Sequence, residues 1–421
     1  MNTPTDTIRN ATLSDLAELL KDQDARKIDM VVPAAKLQAR NGQLVVAGAE
    51  AQLDDDGVTQ VDGIYTPTAV CDEGVADKLG VPVAYLKRLR QERPDLYDAN
   101  VNGWLHGSPD KVVDDAENPG MVRFVPGSGD DPRKFMLRAF RGAEGTTGVA
   151  RSLLSDTYKR MDHFDVLTAA LSGIRDSGTE VVVDSCDLSE RRMQVRIAAP
   201  AIAALAPVLL ANYRSPWGGE LRPVGQEPDA REAQWRAHAG YERGEEPVVF
   251  AGFVLSNSET GGGAFTITPR FVVKVCKNGL TITEDVLRNV HLGGRLEEGV
   301  VRWSEGTERK NLELVASRTR DAVATFLDID YMTAALAKIE AKAGVRVTDA
   351  VATIQNIGKA LRFSEAETKS VLDHFVMGGQ GTAGGVLNAV TSAAQTLTDA
   401  DAAADLEAQG IKAMELAAAS A

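Results

Sequence analysis

The stretch VVFAGFVLSNSETGGGAFTITPRFVVKVCKNG, which runs from Val248 to Gly279, decides the fold class. It opens with an apolar run of β-branched and aromatic residues, as is typical of a strand. A second strand is predicted at Phe265 to Thr268, where apolar and polar residues alternate, and a third at Phe271 to Cys276. Turn residues fill Asn257 to Gly263 and again Asn278-Gly279. The stretch therefore predicts a sheet core with one conspicuous polar loop.

The composition is that of an ordinary globular protein with a strong acidic balance. The chain has 421 residues, of which 44% are apolar and 25% are charged, and its formal net charge is -14. This length predicts two or three domains. The net charge argues against a uniformly basic nucleic-acid-binding surface, but it allows a local basic groove.

Cysteine and histidine usage argues against disulfides and against a metal site. Cys71, Cys186 and Cys276 lie far apart, so the sequence has neither a disulfide framework nor a cysteine-rich zinc site. The five histidines show no HxH or HExxH spacing. We therefore predict no metal and no cofactor. The N-terminus does not resemble a signal peptide, and no apolar run is long enough for a membrane span. With free cysteines, this predicts a cytoplasmic protein that does not contact a membrane.

The remaining patterns predict an α+β fold with a central antiparallel or mixed sheet and a helical C-terminal region. A helix is predicted from Asp162, strands at 180–184 and 192–198, and a short helix from Glu284 to Val290. From residue 308 the apolar spacing is almost wholly helical. We expect residues 133–200 and 248–276 to share one sheet. The predicted domains are an N-terminal α/β region (1–130), a sheet-containing core domain (131–307) and a helical region (308–421).

One window of this acidic chain is locally basic. It is opposed only by Glu144 and Asp156, and it contains Arg133, Lys134, Arg138, Arg141, Arg151, Lys159 and Arg160. Such a set could line a groove that holds a phosphate backbone, so these seven residues are the candidate nucleic-acid-binding residues.

Two further segments have both a nucleic-acid-binding and a structural interpretation. Residues 68–90 resemble a small helix-turn-helix with a basic second helix, or a helical hairpin with a solvated basic face. Residues 212–247 contain Trp217 and Trp235 among arginines, which could stack bases or anchor an insertion to its own domain.

Five ordered segments resemble the phage/plasmid-like protein family called domain of unknown function 932, over roughly residues 70–410. They are RSLLSDTYKRMD (151–162), SNSETG (256–261), CKNG (276–279), VHLG (290–293) and LNAVTSAA (387–394). The resemblance implies a protein of phages, prophages or plasmids and carries no established activity. It marks Asn257, Ser258, Glu259, Asn278 and His291 as family-motif residues. Lys277 departs from the family pattern, in which Thr commonly stands there.

Two classes of function stay open at this stage. Cys276 and His291 could form a nucleophile and base pair, with Asn257 or Glu259 orienting the imidazole, in an enzyme of unknown reaction. Alternatively, Cys276 packs as a small apolar residue at a strand end, and Asn257 to Glu259 form a turn.

The non-catalytic interpretation rests on topology and charge. A helix followed by strands, with a basic segment before it, is the general form of the single-strand annealing proteins that phages encode, which assemble into rings or filaments. We therefore expect a non-catalytic, homo-oligomeric protein that binds or anneals single-stranded DNA in recombination or replication, and the enzyme is the alternative.

Overall fold

The computed structural model describes residues 7–50, 52–54, 57–59, 61–107, 111–114, 122–142, 146–158, 160–211, 248–273, 279–281, 287–289 and 305–420. Its strands, in chain order, are β1 (Ile8–Ala11), β2 (Lys27–Pro33), β3 (Leu37–Arg40), β4 (Gln43–Val46), β5 (Gln52–Asp54), β6 (Gly57–Thr59), β7 (Gly63–Pro67), β8 (Lys111–Asp114), β9 (Val122–Val125), β10 (Lys134–Phe140), β11 (Gly148–Ser155), β12 (Val182–Leu188), β13 (Met193–Leu205), β14 (Val248–Asn257), β15 (Phe265–Val273), β16 (Gly279–Thr281) and β17 (Leu287–Asn289).

The α-helices, in the same order, are α1 (Leu13–Arg26), α2 (Ala69–Leu79), α3 (Val83–Glu92), α4 (Pro94–His106), α5 (His163–Asp176), α6 (Glu305–Phe326), α7 (Ile329–Ala343), α8 (Ala350–Leu361), α9 (Glu365–Gly378), α10 (Ala383–Ala394), α11 (Ala400–Ala408) and α12 (Gly410–Ala419). Their ends follow local chemistry. Thr12 and Asp15 form a capping box at the start of α1, and Gly80 ends α2 in the left-handed conformation that glycine adopts without strain.

The strands form two large sheets with separate hydrophobic cores. The order in the six-stranded sheet is β2-β10-β11-β7-β4-β3, and all pairs are antiparallel except β11 with β7. Helices α2 and α4 pack on this sheet, at β11 and β3. The buried apolar residues of this part run from Ile28 to Leu153, so we call residues 27–155 the inserted unit.

The second sheet belongs to a larger unit that surrounds the first one in sequence. Its order is β1-β12-β13-β14-β15-β16, and β17 also pairs with β15. Alternate residues such as Ile197, Phe253 and Leu255 face the helical core, where α6 contacts β14 and α7 contacts β13. The buried apolar residues include Leu16 and Leu20 of α1 and then run from Met161 to the C-terminal helices. We call residues 7–26 and 160–420 the main unit.

The α+β prediction is confirmed. The structure is 49% helix and 27% strand by residue, and helices follow the sheets at the C-terminal end. The prediction that residues 133–200 and 248–276 share one sheet is wrong for β10 and β11. Those strands pair with β2 and β7 of the inserted unit, because an apolar alternation identifies a strand but not its partner. The short helix predicted from Glu284 to Val290 is wrong for the described residues 287–289, which form β17 and pair with Phe265 to Ile267.

Candidate functional site

The polar loop that the sequence singles out lies where the two units meet. Asn257 ends β14, and Ser258, Glu259 and Thr260 follow it, all four of them buried. Ser258 and Thr260 donate hydrogen bonds to the carbonyl oxygen of Arg191, in the turn between β12 and β13. These bonds tie the loop to its own unit, while Glu259 reaches the inserted unit.

Three donors converge on the Glu259 carboxylate. Lys27 Nζ lies 3.0 Å from Oε1, Arg151 Nη2 lies 2.5 Å from Oε2, and the backbone N–H of His163 donates to Oε1 at 2.5 Å. Burial opposes ionisation of this carboxyl group, but the charges of Arg151, Arg138 and Lys27 outweigh it and hold the pKa of Glu259 well below its usual range. Glu259 is therefore a buried carboxylate that links β2 and β11 to the first turn of α5.

Arg138 is the second fixed charge of this junction, and its side chain is fully buried. Its Nε and Nη2 each lie 2.9 Å from an oxygen of Asp29, in the bidentate geometry that arginine favours. Nη2 also donates to Asp162 at 2.5 Å, and Nη1 donates to the carbonyl oxygen of Glu259 at 2.8 Å. We call Lys27, Asp29, Arg138, Arg151, Asp162 and Glu259 the junction cluster.

Arg151 owes its position to a β-bulge. Arg138 pairs with Ser152 and Ala139 pairs with Ala150, so Arg151 is the extra residue on β11. The guanidinium lies 4.4 Å from the centroid of the Phe140 ring. Its Nη1 is buried and has no hydrogen-bond partner among the described residues.

His163 completes the junction as a neutral group. Its Nδ1 lies 3.0 Å from Asn257 Nδ2, which also donates to the carbonyl oxygen of Met161 at 2.9 Å. Because the amide nitrogen is a donor, Nδ1 accepts and the ring proton resides on Nε2. Burial lowers the pKa of His163 to about 4, so it stays uncharged at neutral pH.

The seven candidate nucleic-acid-binding residues fall into distinct environments. Arg138 and Arg151 are buried in the junction cluster, so their charges are already paired with carboxylates and they cannot contact a phosphate backbone in this conformation. Arg133, Lys134, Arg141 and Arg160 are exposed. Lys159 lies outside the described residues, as do the family-motif residues Asn278 and His291, and Cys276. The DNA-binding role of the exposed residues stays a prediction.

The predicted helical hairpin at residues 68–90 is formed by α2 and α3, and its basic residues are paired. Lys87 lies 2.9 Å from Glu73, and Arg90 lies 2.6 Å from the buried Asp72. Arg88 pairs with Glu92 on the same helix. Each basic residue of α3 thus has a carboxylate partner, as in a solvated or packed helix face.

An open groove lies beside α4, with a volume of about 600 Å³. Gly103, Trp104 and Gly107 form one side, and residues 128–132 form the other. Trp104 is 54% exposed. Arg133 follows directly, and its Nη2 lies 2.6 Å from Asp131, which lines the groove. The groove therefore has a half-exposed tryptophan in its lining, and one of its lining carboxylates, Asp131, pairs with Arg133.

Sequence reasoning missed both Trp104 and the acidic partners in the junction cluster. The buried residues Tyr97, Val101 and Leu105 recur every four positions along α4, which leaves Trp104 at the edge of the buried face. That spacing could have predicted an exposed Trp104. No local pattern predicts the roles of Asp29 and Asp162, because they contact Arg138 across 109 and 24 positions of sequence.

Within the described ranges, no group of three or more His, Cys, Asp or Glu residues is placed to hold a metal ion. No helix in that part of the chain is both long and apolar enough to cross a membrane. No protein-family model matches the chain, and no curated protein or solved structure matches it either. The resemblance to the phage/plasmid-like family therefore stays a prediction.

Proposed function

We propose that the chain is a non-catalytic, cytoplasmic protein of phage or plasmid type that binds single-stranded DNA in the groove beside α4. The observation that carries this proposal is the half-exposed Trp104 in an open groove whose last lining residue, Pro132, is followed in sequence by the exposed Arg133 and Lys134. The mobile-element context rests on the family resemblance of the sequence.

An exposed indole in a groove favours a single strand over a duplex. Bases of a single strand are free to stack on an aromatic face, and this stacking contributes about 1–3 kcal/mol per base with little sequence preference. In a duplex the same faces are already stacked on one another. Trp104 is thus the group that would distinguish the two forms.

In this proposal the positive charge comes from Arg133 and Lys134, which directly follow the groove-lining residue Pro132. The Arg133 guanidinium stacks 5.2 Å from the Phe135 ring centroid and pairs with Asp131, so it is held in place before a ligand arrives. Asp130 also lines the groove and is paired with His106 at 3.2 Å. These carboxylates weaken the local positive potential, so we expect modest affinity that depends strongly on salt.

The test is a fluorescence-anisotropy titration of labelled oligo(dT) at low salt with matched variants. Trp104→Ala should weaken binding roughly 10- to 100-fold through lost stacking, and Trp104→Phe should retain most of the affinity. Tyr85→Ala removes another exposed aromatic side chain, on α3 and away from the groove lining, and should leave binding unchanged.

Two results would count against the proposal. If the wild-type protein binds no oligonucleotide at low salt, the DNA-binding function is wrong. If it binds but Trp104→Ala binds equally well, the groove is not the site. The alternative enzyme rests on Cys276 and His291, which lie outside the described residues, so it stays a prediction.

A further inference from the structure

Asn41 and Gly42 form the two-residue turn of the β3–β4 hairpin, between the paired residues Arg40 and Gln43. Both have a positive φ, 53° for Asn41 and 73° for Gly42, as a type I′ turn requires. Asn41 is exposed and Gly42 is buried. The chain has two other Asn-Gly pairs, at 102–103 inside α4 and at 278–279, where the asparagine lies outside the described residues. The turn at Asn41 is therefore the described Asn-Gly pair that no helix holds.

An Asn-Gly pair can modify itself without an enzyme. The glycine nitrogen, which no neighbouring Cβ shields, attacks the side-chain carbonyl carbon of asparagine. The new N–Cγ bond closes a succinimide ring, the Cγ–Nδ2 bond breaks and ammonia leaves, while the glycine nitrogen gives its proton to solvent. Water then opens the ring and leaves aspartate or isoaspartate. The attack requires that the glycine nitrogen lose its proton and that the peptide groups around asparagine be free to rotate.

The carboxylate of Asp98 on α4 holds both peptide groups of this turn. The backbone N–H of Asn41 donates to Oδ2 at 2.5 Å, and the N–H of Gly42 donates to Oδ1 at 3.0 Å. Two successive N–H groups around one carboxylate form an anion-binding nest. The negative charge stabilises the protonated Gly42 nitrogen, and the two hydrogen bonds fix the peptide groups on both sides of the Asn41 Cα. Both effects oppose the attack.

We propose that Asn41 is a latent deamidation site and that Asp98 suppresses its reaction. When α4 releases the turn, the Gly42 nitrogen becomes free to attack. Either product carries a carboxylate at position 41, whose charge repels Asp98, so the nest does not re-form. Isoaspartate also lengthens the backbone of the turn by one atom. Deamidation therefore loosens the hairpin irreversibly from α4, the helix that carries Trp104. This inference is independent of DNA binding.

The test follows deamidation of Asn41 in the full chain by peptide mapping with mass spectrometry, at fixed pH and temperature. The native wild-type protein should react more slowly than the same chain in urea. Asp98→Ala should raise the native rate roughly 10- to 100-fold, because a hydrogen bond from Gly42 N–H to a charged acceptor is lost. Asp98→Asn keeps an acceptor without the charge, so its rate should lie between the two. It carries the test if circular dichroism shows that Asp98→Ala does not fold.

Asn102→Ala is the matched control, because Asn102 holds the same hairpin from the same helix. Its side chain accepts a hydrogen bond from the N–H of Ala39 at 2.7 Å and donates one to the carbonyl oxygen of Ala39 at 2.9 Å. This variant loosens the hairpin but keeps the nest, so the rate at Asn41 should stay at the wild-type value. A rate as fast as that of Asp98→Ala would mean that general loosening controls the reaction, and the proposal would be wrong. Equal rates in wild type and Asp98→Ala would also overturn it.

A second measurement tests the consequence of the modification. Asn41→Asp places the product carboxylate in the turn and should lower the Tm of the wild-type protein. In the Asp98→Ala background it should lower Tm much less, because the opposing carboxylate is gone. Equal losses of Tm in the two backgrounds would contradict the proposed repulsion between position 41 and Asp98.

Discussion

Glu259 Oε2 lies 2.5 Å from Arg151 Nη2, and this ion pair joins two sheets that share no strand. Glu259 follows the last residue of β14 in the main unit, and Arg151 is the bulged residue of β11 in the inserted unit. Both residues are buried, so removing either one would leave an uncompensated charge inside the protein. The contact between the units is therefore polar and geometrically demanding.

Glu259→Gln should destabilise the protein by about 3–5 kcal/mol, because it leaves Lys27 and Arg151 without their buried counter-charge. Urea unfolding monitored by circular dichroism measures this loss. Glu92→Gln is the matched control. Glu92 pairs with Arg88 on an exposed helix face, where solvent screens the pair, so this change should leave stability nearly unaltered.

A double-mutant cycle with Arg151→Met separates the pair from the rest of the junction cluster. The double variant should be less destabilised than the sum of the single variants, because removing both charges leaves neither one unpaired. Additive losses would show that the two charges are not coupled.

Stability should fall as pH drops from about 6.5 to 4, and His163 should account for part of that slope. An unfolded histidine has a pKa of about 6.5, whereas burial lowers the pKa of His163 to about 4. Over this window the unfolded chain binds a proton that the native chain does not, so acid favours unfolding by up to about 3 kcal/mol. His163→Gln should flatten the slope in unfolding free energy measured between these pH values.

The carboxylate of Glu259 acts in a lower pH window. Its folded pKa is depressed, so its stabilisation is complete above the unfolded value of about 4.3 and is lost as pH falls from there toward the folded pKa. A His163→Gln variant that keeps the full wild-type slope between pH 6.5 and 4 would contradict the assignment of that slope to His163.

Replacing Arg133 and Lys134 together by Ala should reduce the salt dependence of single-stranded DNA binding. Each phosphate contact contributes about 0.7 to the slope of log affinity against log salt, so the slope should flatten by about 1.4 if both residues contact phosphates. Arg88→Ala with Arg93→Ala removes two exposed arginines elsewhere, on α3 and before α4, and should leave the slope unchanged. An unchanged slope in the Arg133/Lys134 variant would exclude them as phosphate contacts.

Cys71 and Cys186 should not react with a thiol reagent in the native protein. Burial raises the pKa of the Cys71 thiol well above its usual range and that of Cys186 to about 11, and adjacent carboxylates add to both shifts. In a Cys276→Ala background, Ellman's reagent should detect no thiol in native buffer and two thiols in urea. Rapid native modification would show that one of these sites opens.

Two glycine-to-alanine substitutions should change the stability of the protein in opposite directions. A Cβ at Gly173 on α5 would lie 2.1 Å from the carbonyl oxygen of Ala316 on α6, so Gly173→Ala should cost about 1–3 kcal/mol by forcing the helices apart. A Cβ at Gly103 in α4 meets nothing within 4 Å, so Gly103→Ala should stabilise by about 0.5–1 kcal/mol. Thermal unfolding of the two variants compares them directly.

The sequence predicts elements of this fold well where the signal is local. The strand from Val248, the strand from Phe265 and the C-terminal helices all follow from spacing and turn residues within a few positions. The pairing of β10 with β2 could not be predicted in this way. β2 lies about a hundred residues earlier, and neither strand contains a residue pattern that specifies its partner.

The charged residues of the candidate site were also predictable only as far as local sequence allows. The basic window was visible as composition, and so were Asn257 to Glu259 as a polar loop. Arg138 and Arg151 are buried because they pair with Asp29 and Glu259, which lie far from them in sequence. The position of Arg151 also depends on a β-bulge that no single residue predicts. Local charge counts cannot distinguish a groove from a buried ion cluster.

The nesting of one unit within the other has a consequence for protein synthesis. Residues 27–155 are contiguous, so they can fold as soon as they leave the ribosome, since domains generally fold as units during translation. Strand β1 pairs with β12, whose residues are translated much later, and α1 packs in a core that is completed only near the C-terminus. We therefore expect nascent chains from which residue 155 has emerged to carry a protease-resistant inserted unit behind an N-terminal segment that is still cleavable.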